Sequence, residues 1–210
     1  MLNHIKGAGL KTRLLHIRDE LWDRRLGLHT FDYSPAVGRP GDPDWRCHYV
    51  PYSYSGLFSA LKHVGLNRHD TFVDLGSGLG RAVFAAASLD ATSIGVEINP
   101  LLIEGAFRNL SSCKLNHEHI SFKSMSAEEY SHDDTTVLYM FNPFGSGTME
   151  AVISRLAASW RGNPRELRIV YVNPILDGVI EKAGAGWLQR YGYWQPRFGS
   201  KYAISFWHTT

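Results

Sequence analysis

Residues 71–85 read TFVDLGSGLGRAVFA: a short apolar, partly β-branched run, a turn with glycines at alternate positions, and the opening of a helix. Phe72, Val73 and Leu75 mark a buried strand. Gly76, Gly78 and Gly80, with Ser77 among them, make a turn where backbone approaches a ligand with no Cβ in the way. Such a strand-to-helix turn is expected to aim free backbone N–H groups at the loop, suiting a nucleotide phosphate or another polar ligand. Two details weigh between those ligands. A dinucleotide fingerprint has glycines at relative positions 1, 3 and 6, whereas here Arg81 stands in the sixth place. Asp74, just ahead of the turn, repels a pyrophosphate and favours a cation held over the loop.

Asp74, Gly76, Gly78 and Gly80 match the D-x-G-x-G-x-G of the class I S-adenosylmethionine (SAM)-dependent methyltransferases, which the chain resembles here. The cation is then the sulfonium amino acid of SAM. A second short run, SIGVEIN over 93–99, ends in Glu97. In nucleotide-binding α/β folds an acid about 20 residues beyond the glycine turn closes the second strand and accepts hydrogen bonds from the ribose hydroxyls. Glu97 equally suits a cap for a helix starting at Pro100.

Composition bounds the rest. The chain has 210 residues, 44% hydrophobic and 20% charged, enough for one domain with a substantial core. A net charge of +2 points to neither nucleic acid nor membrane, although nucleic acid is not excluded. Cys47 and Cys113 form no paired motif, so a disulfide scaffold or zinc site is not expected and a reducing cytoplasm fits. No apolar run is long enough to span a bilayer. Among ten histidines, His117-Glu118-His119 lacks zinc-helix spacing and His132-Asp133-Asp134 reads as a solvated turn. There is no G-x-S-x-G elbow of a hydrolase.

The first 18 residues are basic and carry no acid, but Asp19, Glu20 and Asp23 follow while Leu10, Leu14, Ile17 and Leu21 continue at helical spacing. One amphipathic helix with a solvated face is expected, in preference to a presequence or a membrane- or RNA-contacting helix. Residues 26–45, rich in Gly, Pro and Asp, read as an irregular connection or lid. CHYVPYSYSGL over 47–57 then brings Tyr49, Tyr52 and Tyr54 ahead of the glycine turn, with a helix over 55–64. Its Tyr-Val-Pro is similar to a stretch of seven-strand lysine methyltransferases. In the resembled family this segment folds over SAM, which implies Tyr54 as a contact; aromatic packing at a domain edge explains it equally.

After a helix over 100–113, ISFKSMS over 120–126 is a third strand. In the family the loop beyond it meets adenine, which implies Ser126 and Ala127 as contacts, with Met125 on the ring. TTVLYMFNPFGSG over 135–147 is a fourth strand, apolar throughout as in a sheet covered on both faces, ending in Asn142-Pro143-Phe144. These residues resemble the [DNS]-P-P-[YFW] motif of amino-group methyltransferases with one proline missing. An amide oxygen and a neighbouring carbonyl accept hydrogen bonds from an attacking amine, and the aromatic stabilises its developing charge by about 0.5 to 2 kcal/mol. An ordinary Asn-Pro turn is the plainer alternative. A helix over 148–160, a strand over 167–173 ending Asn173-Pro174, a short helix over 177–183 and strands over 187–194 and 203–208 complete the chain.

The expected fold is a doubly wound, Rossmann-like α/β sheet of about seven strands, mostly parallel with an antiparallel edge hairpin and an N-terminal helical extension. Residues 1–66 read as extension and lid, residues 67–210 as the SAM-binding core. The resemblance implies methyl transfer to an amine nitrogen, with a small-molecule amine or a protein lysine as favoured acceptor. Transfer to oxygen or carbon of a small molecule, or SAM binding without catalysis, are the alternatives.

Overall fold

The computed structural model describes residues 10–31, 49–195 and 202–210. The connection expected over 26–45 therefore falls largely outside the described residues, as does Cys47. The glycine turn follows strand β1 (Thr71–Leu75), which pairs in parallel with β2 (Thr92–Glu97) on one side and β4 (Val137–Phe141) on the other. Beyond β2 lies β3 (Ile120–Ser124), and beyond β4 lies β5 (Arg168–Val172). β7 (Ile204–Thr209) runs antiparallel against β5, and β6 (Leu188–Trp194) forms the outer edge, giving the order β3-β2-β1-β4-β5-β7-β6. The chain winds outward from β1 in one direction, then resumes at β4 and winds in the other. The crevice at the carboxyl ends of β1 and β4 is the switch point where such sheets bind ligands.

Alternation along the strands sorts the core into two layers. Phe72, Val137, Tyr139, Val170 and Phe206 pack against helices α2 (Tyr54–His63), α3 (Arg81–Ala87) and α4 (Pro100–Ser112). Val73, Leu138, Met140, Ile169 and Tyr171 pack against α5 (Ser146–Gly162) and α6 (Asp177–Ala183). With both faces covered, the central strands β1, β4 and β5 read as nearly continuous apolar runs. By the same parity Asp74, Tyr139 and Phe141 share the α2–α3 face.

Helix α1 (Leu10–Leu26) forms, but its leucines are not what hold it. Leu14, Ile17 and Leu21 are about half exposed, whereas Asp19 and Asp23 are buried on the inner face with Leu26. The cause is Arg81, which lies in the first turn of α3 and is itself buried. Its guanidinium reaches Asp19 at 3.2 Å and Asp23 at 3.8 Å, and its Nε donates to Thr30 Oγ1 at 2.7 Å. Tyr54 belongs to this network: its backbone N–H donates to Asp19 and its hydroxyl to Asp23, at 2.9 and 2.7 Å. The expectation for His132 is also corrected. Its side chain is fully buried, with Nδ1 3.4 Å from Thr135 Oγ1 and Nε2 unpartnered among the described residues.

Candidate functional site

A cavity of about 710 Å³ opens at the carboxyl ends of β1, β2 and β4. It brings together Asp74, Gly76, Ser77, Gly78, Glu97, Ser126, Ala127, Asn142, Pro143 and Phe144 from four separated stretches of sequence. Two expected residues are absent from its walls. Tyr54 is turned toward α1 by the bonds to Asp19 and Asp23. Gly80 instead caps α3 at φ 88°, where a Cβ would meet the Phe122 ring at 2.6 Å. Tyr49 and Tyr52 do line the cavity.

The glycine loop is tied down by its own N–H groups, which overturns the expectation that they stand free. The Gly76 and Ser77 N–H groups donate to Val96 O at 2.8 and 3.0 Å, and Gly80 N–H to Ser77 O at 2.8 Å. The Gly78 N–H donates to Glu97 Oε2 at 2.9 Å. A loop with these donors spent internally is a poor phosphate cradle; of the three charged residues that line the cavity two are acids, and the third, Arg81, is paired with Asp19 and Asp23. The arrangement favours a cation.

Both turn glycines that line the cavity, Gly76 and Gly78, are required by close approach. A Cβ on Gly78, at φ 54°, would lie 2.2 Å from the Tyr49 ring, which therefore rests on the loop. A Cβ on Gly76 would lie 2.5 Å from Pro143 Cβ. The single proline of Asn-Pro-Phe thus packs against the first glycine, giving the fourth-strand loop and the glycine turn a common wall.

Glu97 is buried, and its other oxygen accepts from the Asn99 N–H at 2.7 Å. The side-chain cap of α4 is Asn99, whose Oδ1 accepts from Leu101 N–H at 3.0 Å. Capping therefore does not account for the Glu97 carboxylate, which keeps further lone pairs. Burial first, and Glu97 second, hold the Asp74 carboxyl well above the usual carboxylate range. No hydrogen bond from a described residue reaches that carboxylate. Ser77 Oγ and the Tyr49 hydroxyl are buried without a hydrogen-bond partner among the described residues. Burial also raises the Tyr49 phenol.

On the side away from Glu97 the walls are aromatic and aliphatic: Tyr52, Tyr139, Phe141, Phe144, Ile175 and Leu176. Tyr52 and Phe141 meet edge to face at 5.6 Å. Sequence reasoning missed Tyr139 and Phe141, although their parity with Asp74 in paired strands was the available signal. Asn142 adopts φ 41°, and its Oδ1 accepts from the Tyr171 hydroxyl at 3.2 Å. Asn173 repeats the left-handed turn at φ 54° but does not line the cavity; its backbone N–H donates to Ala203 O at 2.8 Å. No group of three His, Cys, Asp or Glu among the described residues is placed to hold a metal. No helix among them is long and apolar enough to cross a membrane.

A buried acid under a glycine loop, a second acid with spare lone pairs, orphaned hydroxyls and a half-apolar cavity of this size suit SAM. Solved structures of similar shape include an RNA methyltransferase from Salinibacter ruber in complex with S-adenosyl-L-homocysteine. It is 19% identical, with TM-score 0.58 over 76% of this chain and 93% of that one. Magnesium protoporphyrin IX methyltransferase from Synechocystis PCC 6803 with bound SAM is 16% identical, with TM-score 0.56 over 74% and 76%. These likenesses establish the fold. In sequence, 66 residues are 39% identical to a Drosophila melanogaster histone-lysine N-methyltransferase, H3 lysine-79 specific, a match spanning 27% of this chain and 4% of that protein. The family described as histone methylation protein DOT1 matches residues 49–159, which contain the glycine turn, Glu97 and the Asn-Pro-Phe loop. The chain therefore belongs to the DOT1 family, on the fold of the class I SAM-dependent methyltransferases.

Proposed function

We propose that the protein transfers the methyl group of SAM to an amine nitrogen, with a protein lysine the preferred acceptor over a small-molecule amine. The carrying observation is the contact of Pro143 with Gly76, which places the Asn142 amide and the Phe144 ring beside the cofactor loop. The name of the Drosophila relative, a histone-lysine N-methyltransferase, agrees with an amine acceptor.

In this reading Asp74 faces the cationic amino-acid end of SAM, Glu97 accepts from the ribose, and Ser126 and Ala127 border adenine with Met125. Bound SAM supplies an electrophilic methyl whose departure leaves a neutral thioether. The chain's own share is alignment and exclusion of water. The Asn142 oxygen accepts a hydrogen bond from the amine and aims its lone pair, and the Phe144 face attracts the nascent cation. Burial of the amine away from water favours its neutral, nucleophilic form before transfer. Within the leading segment 1–66, the stretch that includes Tyr49 and Tyr52 covers the cofactor loop and selects the acceptor.

The test is a screen with methyl-labelled SAM against lysine-bearing proteins, nucleic acids and small amines, repeated with Asn142→Ala. Label on lysine nitrogen is expected. The variant should hold SAM nearly as well as the parent and turn over roughly 10 to 1,000-fold more slowly, since misaligned hydrogen bonds in a dry site cost about 1.5 to 4 kcal/mol. Label on oxygen or carbon would refute the acceptor class. Full turnover by the variant, or its loss of SAM, would return the Asn-Pro-Phe loop to an ordinary turn.

A further inference from the structure

Tyr171 lies in β5 with its side chain on the α5–α6 face, fully buried and outside the cavity lining. Its hydroxyl donates to Asn142 Oδ1 at 3.2 Å. Burial pushes the phenol up to about 12, while the Leu176 backbone N–H acts on it in the opposite sense. Leu176 lines the cavity. One hydroxyl outside the cavity thus holds the loop after β4 at Asn142 and feels the backbone of the loop after β5 at Leu176.

Asn142 needs such a hold. It occupies the left-handed region at φ 41° directly before a proline, a conformation that persists only when its surroundings over-determine it. The backbone can be fixed by Pro143 against Gly76, but the carboxamide rotates about its own bonds. Either end of an unrestrained amide can face an incoming amine, and the NH₂ end would repel its N–H groups.

We propose that Tyr171 is a positioning residue for methyl transfer: its hydroxyl takes one lone pair of Asn142 Oδ1 and fixes the carboxamide, leaving the other lone pair for the acceptor N–H. This rests on the role given to Asn142 above. The protein then has two layers on its acceptor side, an amide that touches the acceptor and a phenol that orients the amide. Tyr171 contributes nothing to SAM affinity.

The experiment is a double-mutant cycle of Tyr171→Phe and Asn142→Ala. Purified core histones and n-butylamine, the latter mimicking a lysine side chain, serve as acceptors. S-adenosylhomocysteine is the probe for cofactor binding. Tyr171→Phe is expected to lower kcat ten- to a hundredfold, change S-adenosylhomocysteine affinity less than twofold, and add nothing in the Asn142→Ala background. By NMR relaxation, the order parameter of the Asn142 side-chain NH₂ should fall in Tyr171→Phe, the carboxamide being no longer held at its oxygen. That readout needs no acceptor.

If Asn142→Ala is impaired and Tyr171→Phe is not, or if the two losses multiply, Tyr171 does not act through Asn142 and the inference falls alone. If Asn142→Ala keeps full turnover, the reading of Asn142 falls and the inference with it. An unchanged NH₂ order parameter in Tyr171→Phe also overturns the inference. Should Tyr171→Phe fail to fold, difluorotyrosine at position 171 keeps ring and hydroxyl but ionises within the assay range. Turnover should then fall with rising pH as the phenol loses its proton, and an unchanged pH profile would refute the role.

Discussion

Glu97→Gln separates a brace from a ligand. The carboxylate already accepts from two backbone donors, Gly78 N–H on Oε2 and Asn99 N–H on Oε1, at 2.9 and 2.7 Å. Glutamine keeps the volume but has one oxygen, so its NH₂ must face one of those N–H groups donor to donor. A buried donor left without an acceptor costs about 1 to 3 kcal/mol. For a chain of this length that lowers Tm by roughly 3 to 10 °C. Ligand binding suffers separately. A ribose hydroxyl bonded to a carboxylate contributes about 1.5 to 3 kcal/mol against about 1 for a neutral amide, so SAM should bind roughly tenfold more weakly. The substitution also removes the second cause of the raised Asp74 carboxyl. Asp74 must ionise to attract the cationic ligand, so SAM affinity rises with pH, and in Glu97→Gln that rise should move to lower pH. Titration calorimetry over a range of pH, beside thermal unfolding, reads all three effects. A variant that loses Tm but binds SAM as the parent does makes Glu97 a brace alone. A pH dependence that stays in place refutes the coupling of Glu97 to Asp74.

Gly78→Ala forces a Cβ into the Tyr49 ring at a left-handed φ, so it should cost at least about 1 kcal/mol and weaken SAM tenfold or more by calorimetry. Gly147→Ala is the control: in the first turn of α5, with nothing within 4 Å of its Cβ, it should leave SAM affinity alone and stabilise the fold by about 0.5 to 1 kcal/mol. Burial first, then Arg165 and Arg155, push His132 down to about 4 from 6.5. A depressed folded pKa gives stability that is fully present above 6.5 and lost as pH falls toward 4, by about 3 kcal/mol in all. His132→Gln should therefore flatten the decline of Tm across that interval, and an unchanged slope would show that His132 takes up its proton in the folded protein as readily as in the unfolded one.

What was legible in the sequence was whatever depends on near neighbours along the chain. Strands covered on both faces show as apolar runs, and the parity of Phe72, Val73 and Asp74 sorts them between the two layers. A loop that needs glycine at φ 78° and 54° announces itself by glycine. The residues that escaped depend on partners far along the chain. Tyr54 sits among tyrosines that do reach the cavity, and hydrogen bonds to Asp19 and Asp23, 35 and 31 residues earlier, turn it away. The glycine-loop N–H groups look free until β2 is laid beside β1 and Val96 O takes two of them. Leu14, Ile17 and Leu21 follow helical spacing, yet spacing alone does not say which stripe of a helix faces inward.

The N-terminal helix shows why the sixth place of the glycine turn matters. A glycine there brings helix and strand close together around a dinucleotide. Here Arg81 is tied to the N-terminal helix instead: Nε donates to Thr30 Oγ1 and Nη1 to Asp19 and Tyr52 O, while Nη2 lies 3.8 Å from Asp23 with no hydrogen-bond partner among the described residues. Two buried carboxylates and one buried guanidinium are costly to desolvate, and burial accordingly holds the Asp19 carboxyl above its ordinary range despite Arg81. Such a cluster persists because each member is hydrogen-bonded, and removing any one leaves a buried charge uncompensated. Asp19 also accepts from the first N–H of α2, so the same carboxylate fixes the point where the segment that carries Tyr49 and Tyr52 runs into α2. The first residue of the helix behind the cofactor loop is thereby tied to α1 and to the start of α2. In this chain the leading segment is part of the wall that builds the cavity, and the specificity proposed for it follows from that attachment.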